Sequence, residues 1–270
     1  EHVHHVTTID RRGFKTRKNL PKTIWQTVVT IFRLRRKRFH MVFDLQGFGE
    51  TSIIAFLTGA PTRVGRVKGS PLRRRMYTIP ILADWEHDHR SRYFVKAITR
   101  AFGYGAPEYL DRPLIRAGKK IPVARRLRIG LNIGASTTSR RWSEKNFFLL
   151  AHRLSLKGYT IRFFLGPQER FLAETVKCRC DAEGWEFFIH KDLDTLIEAL
   201  SVCRLLVSND TGPGHLAAAL DIPVVTLFST GSPENVRPLA THGKWLRNRS
   251  DINEISVSDV ESACRSLLGG

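Results

Sequence analysis

Short apolar runs bounded by turn residues alternate with amphipathic stretches along most of the chain. The first pattern is typical of buried parallel strands, and apolar residues spaced three and four apart are typical of helices. The predicted strands cover 3–9, 41–45, 127–133, 159–165, 205–207 and 224–228. One predicted helix begins at residue 21, and the others cover 51–57, 93–102, 147–156, 193–202, 215–220 and 257–268. Regular alternation of the two predicts an α/β fold with a parallel sheet covered on both faces.

The stretch Leu205–Glu234 is the most informative part of the chain, since it reads strand, loop, helix, strand. In such a βαβ unit the loop after the first strand is the usual position of a ligand. Asp210 or Thr211 can cap the helix, while Gly212 and Gly214 let a ligand approach the backbone. The N–H groups of the first helical turn favour an anion, so a phosphate or diphosphate is the expected ligand.

Two other interpretations of this stretch remain open. Residues 212–217 fit the dinucleotide pattern G-x-G-x-x-A, with Glu234 as the acidic residue further on, although the predicted next strand ends earlier, near Phe228. An ordinary capped turn without a ligand is the other interpretation, and His215 taken alone would more often be a structural histidine.

The order Asp210-Thr211-Gly212-Pro213-Gly214-His215-Leu216-Ala217-Ala218-Ala219, then Ile222-Pro223-Val224-Val225 and Leu227-Phe228, carries a resemblance. It resembles the donor-site signature of glycosyltransferase family 9, the heptosyltransferases of lipopolysaccharide core assembly. Family members often have Met at the position of Gly214, and usually Gly-Pro-Thr at the position of Ser229-Thr230-Gly231. The resemblance implies a GT-B fold, in which two Rossmann-like domains face a cleft. It also implies inverting, metal-independent transfer of heptose from an ADP-sugar to an anionic lipopolysaccharide inner-core acceptor, with no cofactor.

The resemblance extends to the segment after the strand at 127–133, where Gly134-Ala135-Ser136 precedes Arg140-Arg141-Trp142. Arg140 stands where the family usually has a phosphate-contacting lysine, and an exposed surface pair is the other interpretation of Arg140 and Arg141. The loop after residue 165 resembles the family's loop whose acidic residue meets the nucleotide ribose, a role that falls to Glu169. The donor-binding residues implied in this way are Ser136, Thr137, Thr138, Arg140, Glu169, Asp210, Thr211, Gly212 and His215.

The acceptor side is implied by the strand that ends in Asp44-Leu45-Gln46-Gly47 and by the turn at 59–65. Several Lys and Arg residues follow in a segment rich in Gly and Pro, and we expect this segment to be a loop. Loops of this composition commonly hold anions, and the resemblance suggests the phosphates and acidic sugars of the acceptor. A merely solvated loop is the alternative. The acceptor-binding residues implied are Asp44, Gln46, Arg63, Arg66 and Lys68.

Positive charge is concentrated in the first half of the chain. The net charge is +19, and Lys and Arg exceed Asp and Glu by 16 in residues 1–120 but by only 3 in residues 121–270. This asymmetry indicates an acidic partner for the first half, such as nucleic acid, anionic lipid or a phosphorylated substrate. No RNA-binding signature or zinc finger accompanies the charge, so we expect no nucleic-acid partner. The segment 103–120 is the most linker-like, which predicts domains at 1–120 and 121–270.

The helix that begins near Pro21 has Ile24, Val28, Ile31 and Phe32 on one face and runs into the basic residues 33–38. Basic residues suit a helix carboxyl end, but beside Trp25 they equally suit an anionic membrane surface. No apolar run reaches the eighteen or so residues of a membrane span, and the start shows no signal-peptide pattern. We therefore expect a cytoplasmic protein that is peripheral to the inner membrane.

The sequence matches the family pattern only after its first elements. The family's first strand, the Gly-Asp loop that carries its catalytic base and the second strand have no counterpart in this sequence. We therefore expect an amino-terminally incomplete first domain and assign no catalytic base, although Asp44 is the nearest carboxylate. The alternative functions are a sugar-nucleotide or anionic-lipid binding protein without catalysis and an NAD-type dinucleotide-binding protein. The four cysteines form no C-x-x-C pair and are expected to be reduced.

Overall fold

A computed structural model describes residues 5–9, 20–67, 71–82, 89–105 and 127–269. The chain divides into two compact units, Glu1–Pro107 and Glu108–Gly270. Each unit has its own parallel sheet, so the predicted α/β class is confirmed. The predicted boundary between residues 120 and 121 lies outside the described residues. The predicted strand at 3–9 is wrong for residues 5–9, which pair with no strand in the described part of the chain, and residues 3 and 4 lie outside it.

Unit 1 holds a three-stranded parallel sheet in the order β1-β2-β3. Its small core is formed by Val64, Ile81, Tyr93 and Ala97. Residues 71–76 form a helix instead of the expected loop, since Pro at the first position and the following Leu, Arg and Met all suit a helix. The elements are α1 Leu20–Arg36, β1 Met41–Asp44, α2 Gly49–Leu57, β2 Thr62–Arg66, α3 Pro71–Met76, β3 Ile79–Ile81 and α4 Arg90–Phe102.

Helix α1 turns an apolar face away from the rest of unit 1. Its buried residue is Thr23, whereas Ile24, Trp25, Val28 and Phe32 are exposed. No helix among the described residues is long and apolar enough to cross a membrane.

Unit 2 contains a six-stranded parallel sheet in the order β6-β5-β4-β7-β8-β9. Its strands and helices are β4 Arg128–Asn132, α5 Glu144–Ser155, β5 Thr160–Leu165, α6 Ala173–Glu183, β6 Glu186–Ile189, α7 Leu193–Ser201, β7 Leu205–Asn209, α8 Gly212–Ala219, β8 Val224–Phe228, α9 Pro233–Val236, β9 Gly243–Arg247 and α10 Val257–Leu268. The strand order reverses at the β4–β7 pair, which makes the carboxyl edge there the expected ligand position.

Helices cover both faces of this sheet. One apolar layer packs beneath α5, α6 and α10, and the other packs beneath α7 and α8. All five residues of β7 and of β8 are buried, because side chains of both orientations meet a helical layer. Glu261 on α10 accepts hydrogen bonds from Lys157 and Arg153. These bonds lower the pKa of its carboxyl group, and the bond from Lys157 has the larger effect.

Candidate functional site

Two buried asparagines join the ends of β4 and β7 at the point where the strand order reverses. The Asn132 amide donates to Ser208 Oγ and to Thr211 Oγ1, both at 3.0 Å. The Asn209 amide donates to the carbonyls of Ile133 at 2.9 Å and Gly134 at 3.2 Å. These bonds fix the loop after each strand to the end of the other strand.

Thr211 stands at the N-cap of α8, but its side chain makes no capping hydrogen bond. Its hydroxyl points back to the sheet, where it accepts from Asn132 and donates to the carbonyl of Asn209 at 3.2 Å. The expected side-chain cap is therefore wrong for Thr211. A Cβ on Gly212 would meet nothing within 4 Å, so the first turn of α8 has open space beside its backbone.

The loop after β4 brings exposed hydroxyls and a cation to the same edge. Ser136, Thr137 and Thr138 are exposed, and a short 3₁₀ helix leads to Arg140. The Arg140 guanidinium makes no hydrogen bond or ion pair with any described residue, whereas that of Arg141 stacks on Phe171 at 5.1 Å. The two arginines are thus not an equivalent surface pair.

Trp142 anchors the end of this loop. Its side chain is fully buried, its indole N–H donates to the carbonyl of Ile255 at 3.0 Å, and its backbone N–H donates to Asn209 Oδ1 at 3.1 Å. Asn209 therefore holds both ends of the loop that carries Arg140.

The Glu169 carboxyl group is buried beside the ends of β4 and β5. Its Oε2 accepts from the N–H of Gly166 at 3.0 Å, and this N–H is the one donor found for it among the described residues. A Cβ on Gly134 would lie 3.1–3.2 Å from the carboxyl group, and a Cβ on Gly166 would lie 2.7 Å from Oε2. The carboxyl group therefore fills the space next to both glycines, most closely at Gly166.

Asp210 and His215 lie at either end of the first turn of α8, Asp210 half-buried and His215 exposed. Glu234 lies in α9, beyond the end of β8, and its side chain faces Arg247 at 3.8 Å. The dinucleotide pattern is also placed after β7, the fourth strand of unit 2 along the chain, whereas the fingerprint follows the first strand of such a fold. Both observations argue against the dinucleotide interpretation.

In unit 1 the Asp44 carboxylate is surrounded by donors of its own unit. It is buried and accepts hydrogen bonds from the backbone N–H groups of Gln46 at 3.0 Å and Gly47 at 2.9 Å, and from the hydroxyls of Thr51 at 2.7 Å and Tyr77 at 2.6 Å. Burial, and then the bond to Asp44, raise the pKa of Tyr77. These four donors take up most of the lone pairs of the carboxylate, and three of them tie Asp44 to the β1–α2 loop and to α2.

The predicted acceptor cations are placed in different ways. Arg63 donates to the carbonyls of Met76 and Ala60, so it holds its own turn. Arg66 is buried against Gly47, whose φ is +67° and whose Cβ would lie 2.7 Å from Arg66 Cβ. Gln46 is exposed, and Lys68 lies outside the described residues.

No group of three potential metal ligands gathers in the described residues. Burial raises the pKa of the Cys180 and Cys264 thiols to about 12, and all four cysteines are free.

Asn132, Ser208 and Asn209 were missed by the sequence analysis. The signal that could have identified them is a polar residue at the end of an otherwise apolar strand, because such a side chain must find a partner at the carboxyl edge.

The sequence profile of glycosyltransferase family 9 (heptosyltransferase) matches residues 30–262. A lipooligosaccharide heptosyltransferase 2 from Haemophilus ducreyi is 30% identical over 40% of this chain, which is 33% of the relative. A lipopolysaccharide heptosyltransferase 2 from Escherichia coli is 23% identical over 87% of this chain and 72% of the relative. The H. ducreyi match therefore spans only about a third of that protein.

Two solved structures are similar in fold. The E. coli ADP-heptose lps heptosyltransferase II has a TM-score of 0.70 at 22% identity, covering 91% of this chain and 81% of its own. The E. coli heptosyltransferase WaaC with ADP has a TM-score of 0.77 at 18% identity, covering 95% of this chain and 81% of its own. These likenesses confirm the predicted GT-B class of fold.

Proposed function

The chain belongs to glycosyltransferase family 9, and on this premise we propose that it transfers heptose from an ADP-sugar to an anionic lipopolysaccharide inner-core acceptor with inversion. The observation that carries the proposal is the convergence of the donor-side residues at the point where the strand order of unit 2 reverses. Relatives named as heptosyltransferases, and a similar structure described as holding ADP, support the choice of reaction and of nucleotide.

The donor diphosphate is proposed to bind between the first turn of α8 and Arg140. The open backbone at Gly212 offers its N–H group and the positive end of the helix dipole, and Arg140 offers an unengaged guanidinium. Pro213 has no N–H, and the N–H of Gly214 donates to the carbonyl of Thr211 at 3.1 Å. The amino-terminal end of α8 and Arg140 both stabilise the charge that develops on ADP as the sugar departs. Glu169 is proposed to accept hydrogen bonds from the ribose hydroxyls, because one protein donor leaves its carboxylate with spare acceptor sites.

The donor site is tested by calorimetry with ADP, with and without EDTA. We expect binding that EDTA does not change, because the amino-terminal end of α8 and Arg140 take the place of a metal ion. Binding that requires magnesium, or tighter binding of NAD than of ADP, would contradict the proposal.

The acceptor is proposed to bind unit 1 through its anionic groups. Arg66 lies against the β1–α2 loop at Gly47, and Arg73 lies against Gly49, the first residue of α2. Burial lowers the pKa of Arg66, but a guanidinium remains charged at neutral pH. Phosphates and acidic sugars are the acceptor groups that such a pair of guanidinium groups binds well.

We also propose that α1 lies on the anionic cytoplasmic face of the inner membrane. Its exposed face of Ile24, Trp25, Val28 and Phe32 would enter the lipid interface, and the basic residues that follow would meet the headgroups. Arg35 is partly engaged in the fold, since its guanidinium donates to the carbonyl of Leu57 at 3.2 Å.

The membrane proposal is tested by flotation with anionic and neutral vesicles. The double substitution Arg36→Gln and Lys37→Gln should weaken binding to anionic vesicles, and salt should do the same because exposed charges are screened over about 8 Å at physiological ionic strength. The control, Lys145→Gln with Lys244→Gln, removes equal charge from unit 2 and should bind as the wild type does. Equal binding to neutral vesicles would refute the proposal.

Turnover is tested by ADP release from ADP-heptose in the presence of two lipopolysaccharide inner-core acceptors, one without heptose and one that already carries a heptose. We expect release that depends on the acceptor. Binding of ADP without any transfer would instead favour a non-catalytic nucleotide-sugar binding protein.

A further inference from the structure

His190 lies beside the proposed donor site and has no part in the function described so far. It directly follows β6, and its backbone N–H donates to the carbonyl of Leu165 at 3.3 Å. The bond extends the pairing of β6 with β5 by one residue and places His190 next to Gly166. The imidazole is thereby brought to the carboxyl edge of the sheet.

The imidazole and the Glu169 carboxylate meet over the same glycine. A Cβ built on Gly166 would lie 2.7 Å from Glu169 Oε2, 3.3 Å from His190 Cε1 and 3.5 Å from His190 Nε2. The absence of a side chain at Gly166 therefore makes room for both groups. They form a pair of polar side chains at the edge where the donor is proposed to bind.

One ring nitrogen of His190 is left without a partner. Nδ1 is buried and makes no hydrogen bond with any described residue. In a neutral imidazole one nitrogen donates and the other accepts, and the tautomer is set by the partners of each. Since no acceptor holds a proton on Nδ1, the proton can reside on Nε2, the nitrogen on the edge that faces Gly166.

We propose that His190 Nε2–H donates a hydrogen bond to a ribose hydroxyl of the donor nucleotide while Glu169 accepts one from the same diol. A hydroxyl both donates and accepts, so an N–H beside a carboxylate is complementary to a vicinal diol. This inference rests on the proposed donor site and makes His190 a residue that selects ribonucleotides over deoxyribonucleotides.

The test is calorimetry with ADP, 2′-deoxy-ADP and 3′-deoxy-ADP. His190→Phe keeps a ring but removes both nitrogens, and His190→Gln keeps an amide N–H near the position of Nε2. We expect His190→Phe to weaken ADP binding roughly 3- to 10-fold, as for one neutral hydrogen bond, and His190→Gln to retain most of it. The matched control is His152→Gln on α5, which should bind ADP as the wild type does.

The pattern across ligands separates ribose contact from a structural role. For the deoxynucleotide that lacks the contacted hydroxyl, His190→Phe should bind as well as the wild type. Equal losses for all three ligands, or unchanged ADP binding by His190→Phe, would overturn the inference while the donor site stands. Failure of the folded wild-type protein to bind ADP would overturn the donor site and the inference together.

Discussion

Replacing Asn209 with alanine tests whether one buried amide holds the loop that carries Arg140. The Asn209 side chain is fully buried and joins three backbone groups, the carbonyls of Ile133 and Gly134 and the N–H of Trp142. Removing it leaves all three without these partners in a site that little water reaches.

Each buried backbone group that loses its partner costs about 1–3 kcal/mol. An unpartnered carbonyl costs less free energy than an unpartnered N–H, because its second lone pair can keep a partner. We therefore expect Asn209→Ala to lower the free energy of unfolding of unit 2 by about 3–5 kcal/mol. ADP affinity should fall roughly tenfold, because fixing even one loosened loop residue on binding costs about 1–2 kcal/mol.

Urea unfolding followed by circular dichroism, together with calorimetry, measures both effects. The control is Asn253→Ala, since Asn253 also accepts from a backbone N–H, that of Ser143 at 2.8 Å, but is exposed. Water replaces that bond, so the control should lose less than about 1 kcal/mol and bind ADP normally. If Asn209→Ala matches this control, the asparagine network does not hold the loop.

Three further predictions concern charge and packing. Arg140→Ala should weaken ADP binding roughly 10- to 100-fold in calorimetry, as for one charge-assisted hydrogen bond, while Arg141→Ala should change it little; equal losses would refute the distinction. Gly65→Ala should lower the melting temperature of unit 1, because the new Cβ would lie 2.1 Å from a ring atom of Tyr77, which donates to Asp44. The control Gly105→Ala should leave the melting temperature unchanged, because a Cβ there would meet nothing within 4 Å. Glu261→Gln should cost up to about 1 kcal/mol at pH 7, because the pKa of Glu261 is lowered in the folded state. The difference from the wild type should therefore shrink as the pH falls below about 4, and a constant difference would contradict this assignment.

The sequence predicted the elements whose apolar residues are contiguous or regularly spaced. The strand at 224–228 and the helix at 257–268 were predicted with the bounds that the structure has. Strand β9, Gly243–Arg247, was missed because it is an edge strand that is largely exposed and has no apolar run. Helix α6, Ala173–Glu183, was missed because only Val176 and Cys180 of its residues are buried, which gives too weak a periodic signal.

The polar contacts of the proposed donor site could not be predicted in the same way. Asn132 and Thr211 are hydrogen-bonded across a separation of 79 positions, and their contact depends on the parallel register of β4 with β7. A sequence motif identifies Thr211 as a helix N-cap, but it does not say that the hydroxyl turns back to the sheet. That orientation follows from the competing donor that Asn132 supplies.

Two carboxylates at strand ends show why residue type alone cannot separate a ligand contact from a loop support. Asp44 is the last residue of β1, Glu169 lies in the short 3₁₀ helix after β5, and both are buried. Asp44 accepts from four donors of its own unit, whereas Glu169 accepts from one among the described residues. A carboxylate has about four lone-pair sites, so the first is nearly saturated and the second keeps most of its capacity for a ligand. The number of donors that the fold supplies therefore separates Asp44 from Glu169, the proposed ribose contact, and that number depends on contacts such as that of Tyr77 with Asp44, 33 positions apart.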